Sequence, residues 1–466
     1  MRAPALLVPL LAVALPASAR AASPPLPHHV CPDGLEVVVS ENHATPLVTV
    51  EIGVHEGSMT ESPDYNGLSH LYEHMFFKGN AAMPDQLAYL ARLRALGAEF
   101  NGTTWIERVN YFFTTTSDHL AGAMVFMRDA IVTPLFDPKE FERERVVVTG
   151  EIDRNESEPN YHLWHAIEKK VFWKYPSRKD ALGTRAAVLS ATTEKMRTIQ
   201  KRYYVPNNSI LVVTGDVHAD DVFMQADRLY AGWAHADDPF VKNPLPKHPP
   251  IRTSEVVLIA QPVENFNAVM EWQGPSTLDE SARDTYAADL LAALVNDPGS
   301  RFQKTLVDSG ACVRASMGYF TEAHTGEVSV DFEATPDKVD ACVGALAAEL
   351  PKLKTADYFA DPEMKNAVHR IEVNRMQERE TTSGRAHAIT WAWATSTLDY
   401  DATYEDRVRA LTRSDLAGYL DRWVLGRPFV LGAMASQKQL DGGLTRQRVE
   451  KLIGIGAGKG DAGGKR

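Results

Sequence analysis

His70-Leu71-Tyr72-Glu73-His74, followed after 76 intervening residues by Glu151 in Arg145-Val146-Val147-Val148-Thr149-Gly150-Glu151-Ile152, decides how this chain is read. On a helix, positions 70, 73 and 74 share one face. Two imidazoles can then hold one metal ion while the carboxylate between them reaches its open coordination position. Catalytic zinc takes three protein ligands and leaves the fourth position to water, whose pKa falls from about 15.7 to roughly 7. Two neutral histidines and one carboxylate leave a net charge of about +1 on such a site, enough Lewis acidity to polarise a peptide carbonyl. A further carboxylate must take the proton of the attacking water and hand it to the leaving amine. Glu73 is the candidate for that base, and His70, His74 and Glu151 are the candidate ligands of one Zn2+ per chain. With 15 histidines in 466 residues, the pentapeptide alone arises by chance in on the order of a few per cent of chains. An amphipathic helix with partly exposed histidines would read the same way, so the surroundings decide.

Those surroundings run in a fixed order. Gly57-Ser58 and Gly67-Leu68-Ser69-His70 lead into the motif, and Met75-Phe76-Phe77-Lys78-Gly79-Asn80 follows it. Then come Gly97-Ala98-Glu99-Phe100-Asn101-Gly102-Thr103-Thr104, Glu144-Arg145, Glu151, Tyr175-Pro176 and Leu182-Gly183. Tyr203-Tyr204-Val205-Pro206-Asn207-Asn208 then runs into Val212-Val213-Thr214-Gly215-Asp216. From about residue 30 to 235 this resembles the pitrilysin/insulinase metallopeptidases, the inverzincins with the inverted His-x-x-Glu-His signature. Asn80 stands where that family usually has Thr, and Gly102 where it usually has Ala. The resemblance implies that His70, His74 and Glu151 are zinc ligands and Glu73 the general base. It also implies that Glu144, seven residues before Glu151 on the same helical face, supports the site from outside the ligand set. Read without the resemblance, Glu144 is an exposed partner of Arg143 or Arg145. Asn101 falls in the strand that, in relatives, runs beside the zinc and pairs with the substrate backbone, a mode that reads main chain more than side chains.

Composition bounds the remainder. With 44% hydrophobic and 24% charged residues the balance is that of a globular protein, and 466 residues exceed one hydrophobic core. A formal charge of −12, with no basic run, argues against nucleic acid as a partner. Arg2, the apolar stretch Ala3 to Leu15 and the small-x-small sites Ala17-Ser18-Ala19 or Ala19-Arg20-Ala21 read as a signal peptide over 1–21. No segment approaches a membrane span. The expectation is a soluble, exported chain, periplasmic or secreted. Of three cysteines, Cys312 begins an expected strand and Cys342 lies on an expected helix, Val339 to Leu350. A bridge between them suits an oxidising compartment, and two buried free thiols are the reading preferred from sequence. His28-His29-x-Cys31 could hold metal but lacks a fourth ligand and reads as an exposed lead-in, and His162 and His165 read as surface or packing residues.

The fold expected is α+β, two homologous α/β-sandwich domains with antiparallel or mixed sheets packed by helices, an internal duplication. The zinc-bearing N-terminal domain spans 25–238, and a proline-rich linker over 239–250 is too interrupted for helix or strand. The second domain, 251–453, has no metal motif, and a glycine-rich tail over 454–466 is expected to be disordered. Leu35 to Val39 and Leu47 to Val54 read as strands before the motif helix. In the second half, Glu255 to Ala260 and Ala268 to Gln273 read as strands before a helix over Leu278 to Val295. In that register Ala288-Asp289-Leu290-Leu291-Ala292-Ala293-Leu294-Val295 replaces the metal motif, so the ligands are confined to the first half.

One departure from the family bears on assembly. Many related peptidases carry an Arg and a Tyr, seven residues apart, that orient substrate at the zinc, in their own second half or in a partner's. Here the corresponding run is Ser300-Arg301-Phe302-Gln303-Lys304-Thr305-Leu306-Val307-Asp308-Ser309-Gly310-Ala311-Cys312-Val313, with Val307 and Val313 in their places. Half-length members associate in pairs. The resemblance therefore implies a catalytic subunit acting on peptides or unfolded polypeptides with a second homologous subunit that supplies the missing pair, a homodimer being the simpler arrangement. The competing readings are a peptide-binding subunit without catalysis and a peptidase dedicated to one precursor.

Overall fold

A computed structural model describes residues 26–455. The expected leader over 1–21, and the expected tail beyond Ile455, lie outside the described residues. Among the described residues eleven strands make two sheets: β1 (His28–Val30), β2 (Glu36–Glu41), β3 (Leu47–Val54), β4 (Glu99–Thr104), β5 (Val109–Thr116) and β6 (Ser209–Gly215) in the first, and β7 (Glu255–Ala260), β8 (Phe266–Gln273), β9 (Arg314–Phe320), β10 (Glu327–Ala334) and β11 (Val430–Ala435) in the second. The strand orders are β1-β2-β6-β3-β5-β4 and β7-β11-β8-β10-β9. Without β1 they are the same order, and in each the one parallel pair is at the same place, β2 with β6 and β7 with β11. The chain is thus an α+β protein built from a duplicated unit of mixed sheet packed by helices.

The sequence pattern of each strand follows from what covers it. In β10 the apolar residues Val328, Val330, Phe332 and Ala334 are buried and alternate with partly exposed polar ones, the period of a strand with one face on a core. In β3 nearly every residue is buried, because the strand is central and covered on both faces. On the inner face of the first sheet lie the helices Leu68–Phe76 and Leu120–Val132, and on that of the second Ala282–Val295 and Val339–Glu349.

The outer faces are covered by exchange. The helix Pro159–Val171, which precedes β6 in the first unit, lays Leu163, Ile167 and Val171 against Val430 and Met434 of the second sheet. Reciprocally, the helix Thr382–Thr395 of the second unit lays Ala386, Ile389 and Trp393 against Val38, Ile210 and Val212 of the first. Each crossing is close because a glycine makes room. A Cβ on Gly432 of β11 would collide with the Ile167 side chain, and one on Gly53 of β3 with Thr390.

Four expectations are corrected. Cys312 and Cys342 are not free thiols: they form a disulfide, with Cα atoms 4.9 Å apart, and Cys31 is the buried free cysteine. Cys312 also precedes β9 rather than beginning it, so it reaches across to the first turn of the Val339–Glu349 helix, an approach that sequence spacing does not reveal. The second-half helix starts at Ala282, not Leu278. Residues 278–281 are held in a turn by Ser281 Oγ, which accepts from Ser276 N at 2.9 Å, and by Asp279 Oδ1, which accepts from Ser281 N at 2.8 Å. The proline-rich segment contains one helical turn, Pro239–Lys242, because Asp238 caps it through Phe240 N at 2.7 Å and proline is pre-set for a first helical position.

Because Gly432 admits Ile167, Gly432→Val should overpack the crossing. The expected loss is about 1–3 kcal/mol of stability, measured as an earlier urea midpoint than wild type.

Candidate metal centre

The motif helix is set by its N-terminus. Gly67 takes the left-handed conformation, φ 94°, where a Cβ would lie 2.6 Å from Leu182 O. No side chain at the cap position satisfies the first amides; a distant carboxylate does. Glu61 accepts from Gly67 N at 2.8 Å, Ser69 N at 2.8 Å and Ser69 Oγ at 2.7 Å, at the end of the helix whose dipole favours negative charge. Leu68, Leu71, Tyr72, Met75 and Phe76 then turn into the core, Tyr72 stacked on Tyr204 and Phe76 on Tyr111. The remaining face presents His70, Glu73 and His74, all partly exposed.

Opposite runs the helix Pro138–Glu156, capped by Asp137, which accepts from Lys139 N and Glu140 N. It carries both Glu144 and Glu151. His70 Nε2 is 3.5 Å and His74 Nε2 3.8 Å from Glu151 Oε2. His74 Nδ1 donates to Glu144 Oε2 at 3.0 Å, which leaves the Nε2 lone pair facing Glu151, and Lys78 holds the other Glu144 oxygen at 2.7 Å. Glu144 is buried, not an exposed partner of Arg143 or Arg145; those pair with Glu140 and Glu142. Burial holds the His70 imidazole down at about 4, so it is neutral at ordinary pH and its lone pair is available.

Glu73 accepts from Thr104 Oγ1 at 2.7 Å. Burial raises its carboxyl above the usual range, against the pull of that hydrogen bond and of His74. Thr104 and Asn101 both lie on β4, the outermost strand of the first sheet, which hydrogen-bonds a strand on one side only. Asn101 is exposed, and its Oδ1 accepts from Gly102 N at 3.0 Å. A Cβ on Gly102 would stand 2.9 Å from Glu73 Cγ, so the glycine lets Glu73 sit against the strand.

Sequence reading missed Glu56 and Glu61. Ser69 has one hydroxyl proton and lies between the two carboxyls, both buried. Burial pushes Glu56 up to about 8, so at neutral pH it is protonated and donates to Ser69 Oγ, which donates to Glu61. Glu61 is also pushed up by burial, to about 7, but its backbone donors favour the anion. The only signal in the sequence is two acidic residues in an otherwise turn-like stretch ahead of the motif.

Other expected positions fall elsewhere. His29 meets Asp227 at 2.8 Å beside Cys31, while His28 pairs with Glu36, so three groups gather there and a fourth is still lacking. Burial also pushes the Cys31 thiol up to about 12, away from the thiolate a metal needs. His162 bonds Glu156 O, and His165 bonds Tyr161 O and Asp180. Val307 packs at the margin of the second core and Val313 is exposed.

The donor set fits zinc. Two ligands at 2.0–2.1 Å from a tetrahedral ion stand about 3.4 Å apart, close to the 3.5 and 3.8 Å separations of the histidine nitrogens from Glu151. A duplicated α+β unit whose first copy alone carries an inverted His-x-x-Glu-His face against a carboxylate-bearing helix is the architecture of the inverted-motif metallopeptidases. The chain belongs to the pitrilysin/insulinase family, in its half-length form: residues 36–185 match "Insulinase (Peptidase family M16)" and residues 190–370 "Peptidase M16 inactive domain". The uncharacterized zinc protease YmxG of Bacillus subtilis is 26% identical over 189 residues, 41% of this chain and 46% of that protein, so the match spans about half the length of that relative. A protease from Helicobacter pylori superposes with TM-score 0.79 at 19% identity, over 88% of this chain and 98% of that one. The periplasmic protease PqqL of Escherichia coli does so with TM-score 0.76 at 16% identity, over 95% and 51%. At such identities these two structures share the fold. Among the described residues no helix is long and apolar enough to cross a membrane.

The Glu56 carboxyl sets a pH dependence. Its pKa is raised from 4.5 to about 8 on folding, so its contribution is complete below 4.5 and is lost as pH rises through 8. Measured relative to Glu56→Gln, which is neutral throughout, the wild-type urea midpoint should fall between pH 5 and 8.

Proposed function

We propose that this chain is the catalytic subunit of a zinc-dependent endopeptidase acting on peptides or unfolded polypeptides. The observation that carries the reading is the convergence of His70 Nε2, His74 Nε2 and Glu151 on one point, with Glu73 on the same helical face but committed to Thr104 rather than to that point. His70, His74 and Glu151 would hold one zinc ion, and Glu144 would fix the His74 ring. When bound, zinc supplies Lewis acidity to a peptide carbonyl and eases deprotonation of the attacking water. Glu73 takes the proton of that water and returns it to the leaving amine, its raised pKa bringing it nearer the working pH. The free edge of β4 binds substrate main chain as an added strand beside Glu73, with Asn101 at its exposed surface.

The chain works with a second homologous subunit. Val307 and Val313 occupy the places of the substrate-orienting Arg and Tyr, which supports a partner that supplies them. Export to a periplasm or beyond fits the Cys312–Cys342 bridge, since disulfides persist in oxidising compartments, and the periplasmic source named for the PqqL structure.

Glu73→Gln should retain one zinc by metal analysis while hydrolysis of a quenched peptide mixture falls by about a hundred- to ten-thousand-fold; a Gln variant with wild-type rates would remove Glu73 from the mechanism. His74→Ala should lose metal and activity together, and Glu144→Ala should weaken zinc about 10–100-fold. Activity of the purified chain should appear or rise sharply on adding a homologous partner that carries the Arg/Tyr pair. Equal rates without any partner would show that one kind of chain suffices.

A further inference from the structure

At the two crossings between units, buried charge is handled differently. Under the helix Thr382–Thr395, Glu51 of β3 is fully buried, and the protein surrounds it with donors: Asn110 Nδ2 at 2.8 Å, His387 Nδ1, and the Arg108 guanidinium at 3.9 Å. Under the helix Pro159–Val171 the outer face of the second sheet gathers acid instead. Glu168 comes down from the helix, Glu271 rises from β8 and Glu327 from the start of β10. The register pairs Glu327 with Gln273 and Glu271 with Ser329, so Glu271 and Glu327 are diagonal neighbours on the outer face. One oxygen from each of the three lies within 4.8 Å of the others.

The nearby cation is already committed. Lys179, buried, pairs with Glu322 from the loop between β9 and β10, donates to Thr325 O at 2.7 Å and stands 3.5 Å from Glu327. Glu168 and Glu271 are each 4% exposed. Among the described residues, neither oxygen of Glu168 nor Oε1 of Glu271 has a hydrogen-bond partner. Four carboxylates against one ammonium leave three negative charges uncompensated, and buried carboxylates in that condition acquire either protons or a cation.

We propose that Glu168, Glu271 and Glu327 form a second metal site, at the crossing of the two units, that takes a hard divalent cation such as calcium or magnesium. The donor set is carboxylate oxygen throughout, which suits such ions and not the nitrogen-rich chemistry of the zinc centre. A proton bridges two oxygens, whereas here three converge from three elements. Burial, reinforced by mutual repulsion, pushes Glu168 and Glu271 well above the usual carboxylate range, the situation a bound cation relieves. The ion would join a helix of the first unit to the sheet of the second, and it is independent of the reading of the His70 site.

The test uses the full, zinc-loaded chain titrated with CaCl2 or MgCl2, which do not displace zinc from two histidines. Calorimetry should give one site per chain, and metal analysis one calcium or magnesium beyond the zinc. Thermal unfolding should shift up by about 5 °C at a concentration near a hundred times Kd. Glu168→Gln and Glu271→Gln should remove binding and shift, whereas His70→Ala should lose zinc and keep them. Calcium binding without magnesium binding, or the reverse, identifies the ion. No binding by the wild-type chain to either, or binding unchanged in both Gln variants, overturns the proposal. In the first of these cases the carboxyls hold protons, and Glu271→Gln is then as stable as wild type. The wild-type titration decides even where a variant does not fold.

Discussion

A sheet packed by helices on one face still has another face to bury, and here each unit covers the other's. Val38, Ile210 and Val212 on one side and Val430 and Met434 on the other are covered by a helix that belongs to the opposite half. Fully burying one such side chain contributes about 1.5–3 kcal/mol. The exchange also reaches the metal centre. The helix that carries Glu144 and Glu151 ends at Glu156, and the exchanged helix begins at Pro159, so only two residues separate them. Anchoring Pro159–Val171 on the second sheet therefore restrains where Glu151 stands relative to His70 and His74. The second unit has no motif of its own, yet its surface helps to fix a residue of the site.

How much of this could be read in advance depends on the range of the interaction. The spacing of His70, Glu73 and His74 is a local, helical fact, and their common face follows from 3.6 residues per turn. Alternation in β10 and the apolar run of β3 are equally local. Glu151 is different: nothing in its own neighbourhood distinguishes it from Glu142 or Glu156, and only the resemblance singled it out. Glu56 and Glu61 were not legible because their partners are backbone amides and a serine hydroxyl brought together by the fold. The disulfide is not legible because a separation of 30 residues fixes no approach of two Cα atoms, and free thiols are then the preferred reading. Leu163, Ile167 and Val171 fit an amphipathic helix, but the sequence does not say which sheet receives it.

The buried carboxyls fall into two kinds. Glu61 is satisfied almost wholly by donors at a helix start, and Glu144 by a lysine and a histidine, so each serves as a positioning group whose partners hold it. Glu168 and Glu271 lack that provision, and burial raises both. A buried charge stabilises a fold only when geometry and hydrogen bonds answer the loss of water. The contrast within one chain separates carboxylates that the protein neutralises itself from those left for something small and mobile to neutralise.

The unpaired side of β4 carries a liability as well as an opportunity. A row of unmatched amides and carbonyls accepts any extended chain, including another copy of the same strand, and soluble proteins guard such borders against edge-to-edge association. β4 is guarded by being only six residues long, by the charge of Glu99 and the polar Asn101 on its exposed positions, and by a glycine at its middle that weakens strand character. Lengthening the strand or replacing these residues with β-branched ones would improve its fit to a partner strand and, by the same change, its tendency to aggregate.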